Sequence, residues 1–361
     1  MRYQDIRRVS RPVVLGGLTI GGKAPLSVQS MTNTDKHDVA ATLAQVRSLE
    51  AAGCDVVRLT VPDLAAADTF FALKEAGVRV PLVADIHFDY KVALAVAERG
   101  ADKIRINPGN IGDDAHVREV AAACRLRGIP IRIGVNGGSL EKEILSKYGA
   151  PTGEALAESA LYHASLLEKC DFEDIVISIK SSDVSTMIAA NRILAVRTQY
   201  PLHLGVTEAG GEQMGSIKSA IGIGALLADG IGDTLRVSLT ADPVAEVAAA
   251  RRILSALKIE GQCGLDIVSC PTCGRTRINL IDLAARFEAA ARAEGLMELP
   301  LRVALMGCVV NGPGEAREAD IAVCGGDGEA LLIENGKPLG KIPESAIVET
   351  LIAKLKEKSG K

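Results

Sequence analysis

Eight short runs rich in Val, Ile and Leu recur along this chain, and stretches with helical spacing separate them. The runs are 26–31 (LSVQSM), 56–61 (VVRLTV), 81–87 (PLVADIH), 103–108 (KIRINP), 130–136 (PIRIGVN), 175–180 (IVISIK), 202–207 (LHLGVT) and 234–239 (TLRVSL). Apolar residues at helical spacing lie between them, as in Val39–Ala52, Asp63–Ala76 and Asp242–Leu257. A strand followed by a helix, repeated eight times without a long interruption, predicts an α/β fold of the TIM (β/α)8 barrel type. A doubly wound parallel sheet is the alternative, and the unbroken series of eight favours closure. Residues 9–22 (VSRPVVLGGLTIGG) read as a short hairpin with Gly at its turns, suited to plugging the barrel bottom.

The pattern changes near 258–264 (KIEGQCG), which divides the chain into a substrate-binding barrel, 1–258, and a smaller domain, 259–361. Beyond the boundary come a Cys-bearing loop, a helix over Asn279–Glu294, a strand (LRVALMG), a Gly/Pro loop (NGPGEA) and a strand (ADIAVCG). A hairpin turning at Asn335–Gly336 and a helix over Ser345–Lys358 follow. This order describes a small α+β unit.

Strands buried on both faces should be almost wholly apolar. Here Arg58, Arg105, Arg132, Lys180 and Arg236 fall inside or at the ends of the runs, and Asp85, Asn107, Asn136, Glu208 and Ser238 lie similarly late. A buried unpaired charge costs several kcal/mol, so each needs a partner. Internal salt bridges would satisfy single members. The whole set, at the barrel end where active sites form, points to a diphosphate-like anion, which Arg forks bind in bidentate fashion. The glycine-rich turn 208–215 (EAGGEQMG) after the seventh run adds backbone N–H groups suited to phosphate. His87, beside Asp85, belongs at the pocket rim, and His37 is a second rim candidate.

Composition narrows the class. The formal net charge of −4 and the 3% aromatic content, with no Trp, argue against nucleic-acid binding. The N-terminal residues have no apolar core or small-residue cleavage site, and no apolar stretch is long enough to span a membrane. A cytoplasmic protein is the expectation, in which the eight cysteines are core thiols, metal ligands or redox groups rather than disulfides.

Cys270-Pro-Thr-Cys273 is a CxxC motif open to zinc, iron–sulfur or redox use. No second CxxC or His pair follows it, which weakens a zinc ribbon, and no thioredoxin-like context surrounds it. Cys308 lies in a Gly/Pro-rich segment, GCVVNGPGEA, of the kind that wraps closely around an inorganic cluster. For a fourth ligand the candidates are Cys324, at a strand end and better read as a core thiol, and Glu315, whose carboxylate would be labile. Cys54, Cys124, Cys170 and Cys263 read as small buried hydrophobes.

Taken in order, SVQSMTNTDK, VRLTVP, ADIHF, IRINPGN, IRIGVNGGSL, VTEAG, SCPTCGR and GCVVNGPGEA resemble the bacterial 4-hydroxy-3-methylbut-2-enyl diphosphate synthases of the methylerythritol phosphate isoprenoid route. The resemblance runs through nearly the whole chain and is most specific in the last two motifs. It implies a barrel like that of dihydropteroate synthase and a [4Fe–4S] domain. The implied reaction is reductive ring opening and dehydration of 2-C-methyl-D-erythritol 2,4-cyclodiphosphate. By position, Cys270, Cys273, Cys308 and Glu315 would ligate the cluster. Arg58, Arg105, Arg132, Lys180, Arg236 and Ser238 would hold the diphosphate, and Asp85, Asn107, Asn136 and Glu208 would line the mouth. Asn311 would reach the substrate from the cluster domain. Glu208 and Glu315 are the catalytic candidates, Glu208 for proton handling. The resemblance also implies flavodoxin or ferredoxin as electron donor and a head-to-tail homodimer. Two competing readings are a barrel lyase using Lys180 as a Schiff base beside a structural zinc, and a non-catalytic iron–sulfur sensor of a phosphorylated metabolite.

Overall fold

The structure is a computed structural model that describes residues 3–259 and 264–360. Cys263 lies outside the described residues. The chain forms two compact units that part between Leu257 and Lys258.

The first unit opens with a hairpin of β1 (Val13–Leu15) and β2 (Leu18–Ile20), paired antiparallel. Gly16 and Gly17 make its two-residue turn at φ +48° and +87°, the left-handed pair that a tight hairpin requires. Eight parallel strands follow: β3 (Ser27–Met31), β4 (Val56–Thr60), β5 (Leu82–Asp85), β6 (Lys103–Ile106), β7 (Ile131–Asn136), β8 (Ile175–Lys180), β9 (His203–Leu204) and β10 (Thr234–Leu235). Their order is β8-β7-β6-β5-β4-β3-β10-β9, and a bridge between Ile177 and Leu202 joins the two ends, closing the barrel. Leu15 and Ile20 of the hairpin pack on Val56 and Val83, near the starts of β4 and β5, so the hairpin plugs the bottom as expected.

The helices expected to start at Val39, Asp63 and Asp242 begin at Val39, Leu64 and Pro243. Asp38, Asp63, Asp89, Asp113, Asp183 and Asp242 each stand at an N-cap and accept a hydrogen bond from a backbone N–H of the first turn. Each carboxylate satisfies an orphan donor and opposes the positive end of its helix dipole.

The last two barrel strands are shorter than the runs 202–207 and 234–239 suggest. Past Leu204 and Leu235 the chains converge. A Cβ on Gly205 would stand 2.6 Å from the Arg236 carbonyl oxygen, while the Arg236 N–H donates to Leu204 O at 2.9 Å. Glu208 then turns the chain at φ +51°. The remainder of each run forms mouth loop instead of ladder.

The second unit is a five-stranded sheet in sequential order: β11 (Asp266–Ser269), β12 (Arg302–Met306), β13 (Ile321–Gly325), β14 (Glu329–Glu334) and β15 (Lys337–Pro343). The first three strands are parallel and the last two antiparallel. Helices Leu280–Ala293 and Ile347–Ser359 cover one face through Leu283, Phe287, Leu351 and Leu355. Asn335 and Gly336 make the expected hairpin turn, both at positive φ. Two elements differ from expectation. β11 precedes Cys270 where a loop was expected, because a half-buried edge strand carries little alternation. The NGPGEA segment forms a short helix, Gly312–Glu315, with Pro313 in its first turn, where a missing N–H costs nothing. Among the described residues no helix is long and apolar enough to cross a membrane.

The plug makes the first prediction. Ile20 is fully buried. Ile20→Ala should lower the stability of the barrel by about 3 kcal/mol in urea unfolding. A loss below about 1 kcal/mol would mean that the hairpin contributes little to the core.

Candidate active site

Side chains alternate along a strand, so residues two apart share a face. On β6 this turns Lys103 and Arg105 to the same side as Asn107, just beyond its end. Asp85 is the register partner of Arg105, and Arg105 of Arg132. The three therefore form one rung inside the barrel. Arg58 donates from Nη2 to Asp85 Oδ2 at 2.6 Å, and Arg105 Nη1 lies 3.3 Å from Asp85 Oδ1. Burial alone would raise the Asp85 pKa, but the two guanidiniums outweigh it and hold it down from 3.8 to about 2.

Opposite this group, Arg236 forks onto Glu246, with Nε and Nη2 each 3.1 Å from a carboxylate oxygen. Its Nη1 reaches Met31 Sδ. Glu246 also accepts from Ser30 Oγ and from the Leu239 N–H. Two glycines make the room. A Cβ on Gly134 would stand 2.4 Å from Arg105 Nε, and one on Gly205 would meet Lys180 Nζ at 3.2 Å.

Arg58, Lys103, Arg105, Arg132, Lys180 and Arg236 thus crowd one interior against the carboxylates of Asp85 and Glu246. Lys103 and Arg132 are almost wholly buried, and Lys103 Nζ, Arg132 Nε and Nη1, Arg58 Nε and Asn107 Nδ2 have no hydrogen-bond partner among the described residues. Burial, and then the neighbouring cations, push Lys103, Arg132 and Lys180 well below their ordinary pKa values. Such an interior is matched to an anion of several charges, which would satisfy the free donors and favour the charged forms.

Of the residues singled out in the sequence, the structure links Arg58, Asp85 and Arg105 directly, stacks Arg132 beside them, and brings Lys180 and Arg236 together at Gly205. Asn107 is buried just past β6, Asn136 ends β7, and Ser238 lies half-buried three residues past β10. Glu208 is different: it is exposed on the loop past β9. His87 stands at the rim, its Nε2 4.0 Å from Asp85 Oδ2, and burial lowers its pKa. His37 is exposed and bonds the helix-capping Asp63 at 3.1 Å. Sequence reasoning missed Lys103, His203 and Glu246. Lys103 and His203 are fully buried inside the barrel, and Lys103 carried a signal in its two-residue spacing from Arg105. Glu246 shares a helix face with the buried Ala250 and Ile253, an acid on an apolar stripe.

In the second unit two of the candidate ligands stand just past the carboxyl ends of parallel strands. Cys270 follows β11 directly and its N–H donates to Leu305 O; Cys308 lies two residues past β12. Cys270 Sγ accepts the Gly307 N–H at 3.2 Å. Cys273 is exposed, and the Arg275 N–H, followed by the Arg275 and Thr276 side chains, lowers its thiol pKa. Glu315 is exposed at the end of the short helix. Cys324 is a core thiol: Gly312 lies directly over it, and a Cβ there would meet Sγ at 2.8 Å. Burial, with Cys308, Cys270 and Glu315 nearby, raises Cys324 to about 11. Burial likewise raises Cys54 to about 11 and Cys124 to about 12, as for core thiols. Cys170 is half-buried. Among the described residues no three His, Cys, Asp or Glu side chains are close enough to hold a single metal ion.

The depressed pKa of Asp85 makes the second prediction. A carboxylate held at about 2 contributes stability above its unfolded value near 3.8 and loses it as the pH falls through 2. Asp85→Asn should therefore be less stable than the wild type near neutral pH, with the gap closing toward the acid end in urea unfolding. A gap independent of pH would remove Asp85 as the counter-ion of the rung.

Residues 10–251 match the family described as GcpE TIM-barrel domain, and residues 266–357 match the GcpE protein C-terminal domain. A protein of Geobacter sulfurreducens named 4-hydroxy-3-methylbut-2-en-1-yl diphosphate synthase (flavodoxin) is 56% identical over 348 residues, 96% of this chain and 97% of its own length. Proteins of the same name from Ruminiclostridium cellulolyticum and Caldanaerobacter subterraneus are each 53% identical, over 97% and 98% of this chain and 98% of their own lengths. Barrel, sheet unit and both groups of candidate residues fall within these matches, and the chain belongs to the GcpE family, the 4-hydroxy-3-methylbut-2-en-1-yl diphosphate synthases.

Proposed function

We propose that this chain reduces 2-C-methyl-D-erythritol 2,4-cyclodiphosphate to 4-hydroxy-3-methylbut-2-en-1-yl diphosphate, with two electrons and two protons consumed and one water released. The observation that carries this reading is the buried excess of cations inside the barrel, with donors left free. Arg58, Arg105, Arg132, Lys180 and Arg236, with the Ser238 hydroxyl, would hold the diphosphate. Asp85 orients Arg58 and Arg105, and Glu246 orients Arg236, so the forks are aimed before substrate arrives. Asn107 and Asn136 offer amides to the organic part of the substrate. Glu208, exposed at the mouth, would hold and deliver a proton to the departing oxygen.

The donor set of the second unit fits an iron–sulfur cluster. Two thiols stand just past parallel strands, a third thiol and a carboxylate lie on the segments that follow them, and a backbone N–H already donates to one sulfur, as cluster-binding loops do. Cys270, Cys273, Cys308 and Glu315 would hold a [4Fe–4S] cluster, and Glu315, the one oxygen donor, would leave its position exchangeable. When bound, the cluster would supply electrons one at a time and a Lewis-acidic iron for the oxygen that leaves. Flavodoxin, named for the relatives, is the proposed donor, with ferredoxin the other small redox protein of suitable chemistry. A cytoplasmic setting goes with this reading, since the ligand thiols must stay reduced. Residues 1–258 would then serve as the substrate domain and 259–361 as the cluster domain.

A head-to-tail homodimer completes the proposal: the cluster domain of each subunit caps the barrel of the other, and Asn311 of the partner subunit meets the substrate. The experiment is anaerobic purification with iron and sulfide counts, followed by turnover of the cyclodiphosphate under a chemical reductant. The expected result is a brown protein with about four irons and four sulfides per chain, and a colourless, inactive Cys308→Ser variant. A colourless wild type with one zinc per chain would overturn the reading. Mixed dimers of Arg132→Met and Cys308→Ser chains should regain activity that neither has alone. Mixtures that stay inactive would refute the shared site.

A further inference from the structure

His163, buried, and Glu141, partly exposed, form a pair that none of these roles uses. His163 lies on the helix Gly153–Glu168, its side chain wholly buried, and its Nε2 lies against Glu141 Oε1. Glu141 stands at the N-cap position of the helix Lys142–Tyr148, yet it makes no cap hydrogen bond to that helix. Its carboxylate turns to the imidazole instead.

The ring also lies against the loop that follows β6. A Cβ on Gly109 would stand 2.6 Å from His163 Cε1 and 3.4 Å from Nδ1, so only glycine lets the ring approach the backbone this closely. The Gly109 N–H donates to Asn107 Oδ1 at 3.2 Å, which fixes the amide and leaves Asn107 Nδ2 buried and free for a ligand. Glu141, for its part, ends the loop that follows β7, where Asn136 leads into the Gly137–Ser139 turn. One imidazole therefore touches the two mouth loops that carry Asn107 and Asn136. Gly137 and Gly138 give the second loop backbone freedom that something must restrain.

We propose that the His163–Glu141 pair is a positioning device of the substrate site, tying the loops after β6 and β7 together so that Asn107 and Asn136 present their amides at a fixed separation. The inference deepens the synthase reading and rests on it for the identity of the ligand. His163 touches no substrate; it acts through Gly109 and Glu141.

The test is hydrogen exchange of the full-length holoenzyme, without substrate, together with steady-state kinetics on the cyclodiphosphate. In His163→Ala, amides in 107–112 and 137–145 should exchange about tenfold faster than in the wild type, KM should rise about tenfold, and kcat should stay within about threefold. His163→Gln, which keeps an N–H donor for Glu141, should restore most of both effects. Should His163→Ala fail to fold, Glu141→Gln reads the same two segments. Unchanged exchange in either segment of a folded variant would overturn the proposal, and so would loosened loops with an unchanged KM. The exchange arm needs no turnover, so a wild type inactive on the cyclodiphosphate fails the functional reading while the loop tie still stands or falls by exchange.

Discussion

Buried positive charge without enough negative charge to match it is the constraint on which the first unit is organised. Six cationic side chains share the barrel interior with Asp85 and Glu246, and several of their donors bond to nothing. A chain selected for stability alone would fill such a space with Val and Ile, because desolvating an unpaired cation costs several kcal/mol. Local choices accommodate the charge instead. Gly134 and Gly205 leave room for Arg105 and Lys180, and two carboxylates aim the forks. The hairpin plug closes the other end with hydrocarbon, so the polar interior faces one way.

The second unit applies related logic to softer ligands. Parallel strands direct their carboxyl ends, with unsatisfied N–H groups nearby, toward one edge of a sheet, a common place for ligands in α/β structures. β11 and β12 deliver Cys270 and Cys308 there, and the Gly/Pro segment folds into a short helix that ends on Glu315. Gly312 lies over Cys324 and keeps that thiol in the core. On the proposed reading each unit would supply half of a chemistry: one would hold the anion, and the other would carry the donors for the redox group.

Much of this was legible in the sequence, because barrel strands are short apolar runs and a charge inside such a run stands out. Arg58, Arg105, Arg132, Lys180 and Arg236 were visible for that reason. What was hidden depended on contacts between distant elements. Glu246 reads as one surface acid among many until its helix packs beside β3. Lys103 opens its strand, where a charge attracts little notice. β11 is an edge strand without clear alternation. Glu208 was expected to line the mouth by its place after the seventh run, and its positive φ leaves it exposed on the loop past β9. The pairing of Glu141 with His163 spans two loops and a helix and leaves no spacing to read.

The measurement that bears most directly on the central claim is thermal unfolding of the wild type and Arg132→Met, with and without inorganic diphosphate. If the cations are there for an anion, diphosphate at a hundred times its Kd should stabilise the wild type by about 2.7 kcal/mol. Free Arg132→Met should be at least as stable as the free wild type and should lose most of that increment. An Arg132→Met variant that is several kcal/mol less stable when free, with diphosphate stabilising both proteins equally, would mean that the buried charge serves the fold and not a ligand.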